Sequence, residues 1–122
     1  MGNQSNGSAI YFSKYYANAS QTISFDDFWE RNEWVHFCVL GLPNGQSVIF
    51  KDGELMKSLN LEFSPEILRK NQYIGRSNTN TDRYFKGLID DLRIYRRVLS
   101  SNEIRALKAW TELEEKGETV DQ

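Results

Sequence analysis

Two adjacent aspartates, Asp90 and Asp91, interrupt an alternating apolar run, L-I-D-D-L-R-I-Y. If that run is an extended strand, Leu88, Asp90, Leu92 and Ile94 share one face, while Asp91, Arg93 and Tyr95 share the other. Asp91 then stands among polar neighbours and needs no special account. Asp90 stands in an apolar row, where a carboxylate without a partner is costly. Backbone N–H groups, a basic side chain brought round by a β-bulge, or a Ca²⁺ ion would each satisfy it. Ca²⁺ demands six to eight oxygens, so capping by backbone or side chain is the commoner solution.

A second cluster, Asn78-x-Asn80-x-Asp82, lies in the polar loop at residues 76–83. Its spacing copies the first three ligands of an EF-hand loop and then departs from it. Arg83 sits where the glycine belongs, and Ile89 where the bidentate glutamate is required. The amides of Asn78 and Asn80, the Asp82 carboxylate and the Arg83 guanidinium supply paired donors and acceptors for sugar hydroxyls. Tyr84 offers a stacking face beside them. The competing reading is an ordinary solvated turn. Trp29 is a second candidate for a ligand rim, in the connector D-D-F-W-E-R-N-E, although Phe28 and Trp29 more simply plug one end of a β-sandwich.

Catalytic arrangements are not visible. Asp26, Asp27 and Glu30 form the nearest acidic cluster, in a connector where a buried pair with divergent pKa values is not expected. His36 is the single histidine and Cys38 the single cysteine. One histidine without nearby thiols does not make a zinc site, and one cysteine cannot form an internal disulfide; both read as packed residues of an apolar run. There is no G-x-S-x-G and no glycine-rich phosphate loop. The sequence therefore points to no enzyme and no catalytic residue.

The elements that must position these groups are mostly short strands. The chain has 122 residues, a formal net charge of −2, 39% hydrophobic and 26% charged residues. That describes a single globular domain over residues 1–122. No cluster of Lys and Arg marks a nucleic-acid surface, no apolar run is long enough to insert in a membrane, and no signal peptide is visible. Three Asn-x-Ser sequons, at Asn3, Asn6 and Asn18, matter only if the chain is secreted.

Residues 9–16 and 21–25 read as paired strands, and residues 34–40, apolar on both alternating sets, as a central strand covered on both faces. Pro43-Asn44-Gly45 makes a turn into the strand at residues 47–51. Asp52-Gly53 is a strong hairpin signal leading to residues 54–56. Residues 59–63, 73–75 and 84–95 add further short strands, for a total of six to eight. Ser100 with Glu103 forms a capping box, so a helix should start near Ser101. Ile104, Leu107, Trp110 and Leu113 give it one docking face, and Gly117 ends it. The expectation is an all-β antiparallel jelly-roll sandwich at about residues 8–100, with a C-terminal α-helix at about 101–116.

Five short patterns occur in a telling order: Trp34-x-His36; Val48-x-Phe50-x-Asp52-Gly53; Tyr73-Ile74-Gly75; F-x-G-x-I-D-x-L-x-I-Y over residues 85–95; and L-S-x-x-E-I over residues 99–104. Together they resemble the C-terminal portion of laminin-G-like, concanavalin A-like jelly-roll domains, with pentraxin-like relatives. The match runs from about Ile23 to Leu107. The resemblance implies a non-catalytic module that binds glycans or protein surfaces through rim loops, of the kind found in extracellular and cell-surface proteins. It also implies that Asp90 helps to hold a structural Ca²⁺ with earlier strands. The paired-carboxylate strand of glycosidases with this fold, E-x-D-x-x-E, is missing. The early strands of such domains are not recognisable either, so the alternative is a structural part whose open edge pairs with another chain. Homo-oligomerisation or strand complementation would follow.

Overall fold

The computed structural model describes residues 9–16, 19–61, 70–78 and 81–115. The three sequon asparagines, Asn80, residues 62–63 of the 59–63 segment and the Gly117 cap lie outside the described residues. The chain divides into two compact units: Met1–Ser64 with Tyr95–Gln122, and Pro65–Ile94.

In the first unit, β1 (Ile10–Tyr16) and β2 (Ala19–Phe25) form an antiparallel pair. Ile10 lies opposite Phe25 and Phe12 opposite Ile23, so this register puts four large apolar side chains on one face. β3 (Phe37–Gly41), β4 (Gln46–Lys51) and β5 (Glu54–Asn60) form a three-stranded antiparallel sheet in that order.

β4 is the strand on which both halves of the core depend. Its Ile49 packs with Ile10, Ile23, Phe28 and Leu61. Its Val48 and Phe50 pack with Leu99 and Ile104. Successive side chains of a strand point to opposite faces, so the β1–β2 pair covers one face of the sheet and α1 (Ser101–Glu115) covers the other. A β-bulge between Ile49 and Phe50 leaves Met56 as an extra residue in β5, and Met56 packs onto the Ile49 cluster.

The central strand is thus β4, not residues 34–40. β3 starts three residues later than the apolar run and is an outer strand of the described sheet. Trp34 is exposed. The two-sided covering expected of the run survives in the middle of β3: Val39 joins the Ile49 cluster, while Cys38 and Leu40 join the Phe50 cluster. Burial pushes the Cys38 thiol pKa up, because the thiolate loses water there.

Both turns of the meander are built from the residues that signalled them. Asp52 and Gly53 have φ of 50° and 83°, the pair of positive values that a two-residue type I′ hairpin requires. Asp52 also ties His36 down: its carboxylate accepts from the His36 backbone N–H at 3.0 Å, and its own N–H donates to the His36 carbonyl at 2.7 Å. At the other turn Gly45 has φ of 88°, and a Cβ there would stand 2.6 Å from the Leu61 carbonyl oxygen. Only glycine fits.

The helix begins as expected. Glu103 N–H donates to Ser100 Oγ and Ser100 N–H donates to Glu103 Oε1, each at 3.1 Å, a complete capping box. Ile104 is fully buried, and Leu107, Trp110 and Leu113 are half-buried along the same face.

The second unit differs from expectation. Neither residues 73–75 nor residues 84–94 form a strand. A backbone hydrogen bond from Phe85 N–H to the Gly75 carbonyl at 2.7 Å links the two segments. Asp91 has φ of 52°, a left-handed value that breaks the two-residue alternation. Leu88, Asp90, Leu92 and Ile94 are all exposed. Among the described residues there are five strands, fewer than the six to eight expected, and the shortfall lies largely in this unit.

Candidate functional site

The ends of the polar stretch at residues 76–84 are joined by that hydrogen bond, and glycine makes the closure. Gly75 has φ of 84°, a value that side-chain-bearing residues rarely adopt. Its carbonyl receives the Phe85 N–H, so the residues just inside the closure, Arg76 and Tyr84, become neighbours. The Arg76 guanidinium carbon lies 4.3 Å from the Tyr73 ring centroid and 5.7 Å from that of Tyr84. Both distances fall within cation–π range. The rings remain accessible: Tyr73 is 49% and Tyr84 72% exposed.

Asn78, Asp82 and Arg83 are exposed on the same loop, and Asn80 lies outside the described residues. Sequence reasoning singled out these polar groups and Tyr84 but passed over Tyr73 and Arg76. The available signal was Tyr-x-Gly-Arg ahead of a polar loop ending in Tyr84. Its meaning depended on a backbone bond that residue types do not announce.

Trp29 sits in the other unit, half-buried. Its ring meets Phe28 edge-on at 4.8 Å and Phe37 at 5.5 Å. Phe28 is fully buried, with Lys51 Nζ 5.4 Å from its ring centroid. The plug expected of this pair is where Phe28 goes, and Trp29 covers it.

In the acidic connector it is Glu33 and Glu30 that interact. A side-chain hydrogen bond to Glu30, together with that residue's negative charge, raises the Glu33 pKa above the usual carboxylate value. Both residues are exposed. Solvent therefore screens the pair, unlike the enclosed pairs used for proton transfer.

Asp90 Oδ1 accepts a hydrogen bond from the Asp91 backbone N–H at 2.8 Å. Backbone capping, one of the partners open to it from sequence, is present. Among the described residues no three His, Cys, Asp or Glu side chains stand close enough to hold a metal. The described donors around Asp90 do not amount to the oxygen shell that Ca²⁺ needs.

A cleft of about 220 Å³ lies beside the helix in the first unit, with Leu99 and Leu107 among its apolar lining residues. The Arg97–Glu103 ion pair borders it. The hydrogen bond from Arg97, with the Ser100 backbone N–H next, pulls the Glu103 pKa down to about 2. Both charges are already satisfied, so the cleft offers an apolar floor and no free polar anchor among these two.

Residues 1–105 match a laminin-G-type family model described as the concanavalin A-like lectin/glucanases superfamily. The matched region extends well ahead of Ile23, where the resemblance read from motifs began. The chain is similar to an S-layer domain-containing protein from Clostridium thermocellum in its crystal structure, with 26% sequence identity and a TM-score of 0.54. The alignment covers 82% of this chain and 51% of that one, so this chain spans about half the length of that structure. Comparison with curated proteins gives no match.

Proposed function

The chain belongs to the concanavalin A-like lectin/glucanase superfamily, and on that premise we propose that it is a non-catalytic recognition module that binds a glycan through the 76–84 loop. The observation that carries the reading is the exposed Tyr84 ring next to the loop's closure, with the polar groups of Asn78, Asp82 and Arg83 exposed in the same stretch of chain. An aromatic face with adjacent amide and carboxylate groups suits a sugar, whose C–H face stacks while its hydroxyls exchange hydrogen bonds. Screening the intact protein on a glycan array tests it, followed by titration of any hit with Tyr84→Ala. Specific binding that Tyr84→Ala removes is the expected result; a blank array, or binding indifferent to Tyr84, defeats it.

A second reading has its own observation. Leu88, Ile89, Leu92 and Ile94 are exposed in one short segment, an unusual density of apolar surface. On this reading the segment pairs with another polypeptide and the protein is an assembly part, a role compatible with an S-layer domain-containing relative. Light scattering across a concentration series decides it: association weakened by Leu92→Lys supports assembly, and a monomer at all concentrations excludes self-association.

A further inference from the structure

Arg76 is held in a way that no part of a neutral-sugar site requires. Its guanidinium lies over the Tyr73 ring and near that of Tyr84, and all three residues are exposed. A guanidinium stacked on a ring through its face keeps its in-plane N–H donors for other partners, and those donors match two oxygens of a carboxylate or sulfate. Among the described residues the ion pairs are Arg97–Glu103 and Lys108–Glu112, so Arg76 is not neutralised by an acid there. The rings also restrict the side chain before any ligand arrives, which lowers the entropic cost of binding.

Charge distribution points the same way independently. The whole chain carries −2, yet the unit Pro65–Ile94 has six Lys and Arg against four Asp and Glu, a net of +2. The rest of the chain is therefore at −4. The stacked arginine sits in the basic part of an acidic protein, where an anion is attracted and a neutral ligand is indifferent.

We propose that Arg76, pre-oriented by Tyr73 and Tyr84, is an anion-binding residue, and that the glycan recognised by this loop carries an acidic substituent, a carboxylate or a sulfate ester. This rests on the reading of the 76–84 loop as a glycan site. The glycan's anionic group meets the in-plane donors of Arg76 while its ring lies against Tyr84.

The test is calorimetric titration of the intact protein at 150 mM NaCl with three probes: hyaluronan hexasaccharide (carboxylate only), dextran sulfate of matched length (sulfate only) and chitohexaose (neutral). At least one anionic probe binds and chitohexaose does not. Arg76→Gln weakens binding at least about tenfold, the scale of losing a charged hydrogen-bonded pair. Arg76→Lys, which keeps the charge but not the planar donor fork, is also impaired. Lys86→Gln, in the same unit, leaves affinity within about twofold and reports general charge attraction. Unchanged thermal melting of each variant shows that the fold is intact. The two anionic probes separate carboxylate from sulfate. Full retention by Arg76→Gln or Arg76→Lys overturns the inference, as does an equal loss in Lys86→Gln. If chitohexaose binds in a Tyr84-dependent but Arg76-independent way, the anionic inference fails while the glycan reading stands. If none of the probes binds and the array is blank, both fail.

Discussion

The two units of this chain use similar residues to opposite ends. In the first, Ile49 is fully buried, with apolar neighbours on one side and a paired strand on each flank. In the second, Leu88 is 77% and Ile94 88% exposed, in a run no less apolar. Hydrophobicity does not separate them. Pairing does. β4 has a hydrogen-bonded strand on both sides and can bury both faces, whereas residues 84–94 pair with no strand among the described residues and their side chains are exposed. A strand buries apolar surface only where its backbone groups are satisfied at the same time.

Truncation should expose that contrast most strongly. Ile49→Ala removes a fully buried side chain and is expected to cost about 2–5 kcal/mol in urea denaturation. Leu92→Ala, in the second unit, should change stability by less than about 0.5 kcal/mol. Equal losses at the two positions would mean that the second unit is covered in solution, and the comparison would collapse.

Two glycines sharpen it at the backbone. Gly45 and Gly75 have nearly the same φ, 88° and 84°, so alanine meets a left-handed penalty of about 1–2 kcal/mol at either site. At Gly45 the new Cβ also collides with the Leu61 carbonyl oxygen, while at Gly75 nothing lies within 4 Å. Gly45→Ala should therefore lower the melting temperature more than Gly75→Ala does. The effect of Gly75→Ala should appear instead in the glycan binding proposed for the 76–84 loop.

The helix start gives a smaller effect. Ser100→Ala removes the N-cap and should cost about 1 kcal/mol by denaturation. Glu103 adds a pH dependence with a definite sign. Its folded pKa of about 2 lies below its ordinary value of 4.5, so its contribution is present above pH 4.5 and is lost as pH falls toward 2. Glu103→Gln should flatten that part of the acid limb. A limb unchanged by the substitution would show that solvent screens the exposed Arg97 pair to nothing.

The smallest expected effect concerns calcium. With Asp90 exposed and one of its oxygens engaged by Asp91 N–H, adding 2 mM Ca²⁺ or a chelator is expected to leave the melting temperature unchanged. A clear upward shift with Ca²⁺, lost in Asp90→Asn, would restore the metal reading.

Much of the first unit was legible beforehand because its signals are local. Asp52-Gly53 demands a type I′ turn, Pro43-Asn44-Gly45 demands a turn with glycine in a left-handed conformation, and Ser100 with Glu103 caps a helix one residue later. Each acts over two to four residues, within reach of sequence reasoning. The candidate site was half legible. Asn78, Asp82 and Tyr84 stood out by type, but the approach of Arg76 to the Tyr73 and Tyr84 rings shows only in the structure, beside the closure at Gly75. The run at residues 84–95 misled because its alternation is real, while Asp91 breaks the extended backbone and no strand pairs with it among the described residues.

Sequence alone therefore determined the hairpin and helix start, the turn glycines and the all-β class, since these follow from short-range geometry and periodicity; the family resemblance rested on the order of five short motifs. Tertiary structure decided which strand is central, which apolar run is buried, and which side chains stand beside Tyr84. Those outcomes depend on contacts between residues far apart in the chain. An alternating pattern states that a segment has two faces; only a hydrogen-bonded neighbour and an opposing layer settle whether either face leaves water.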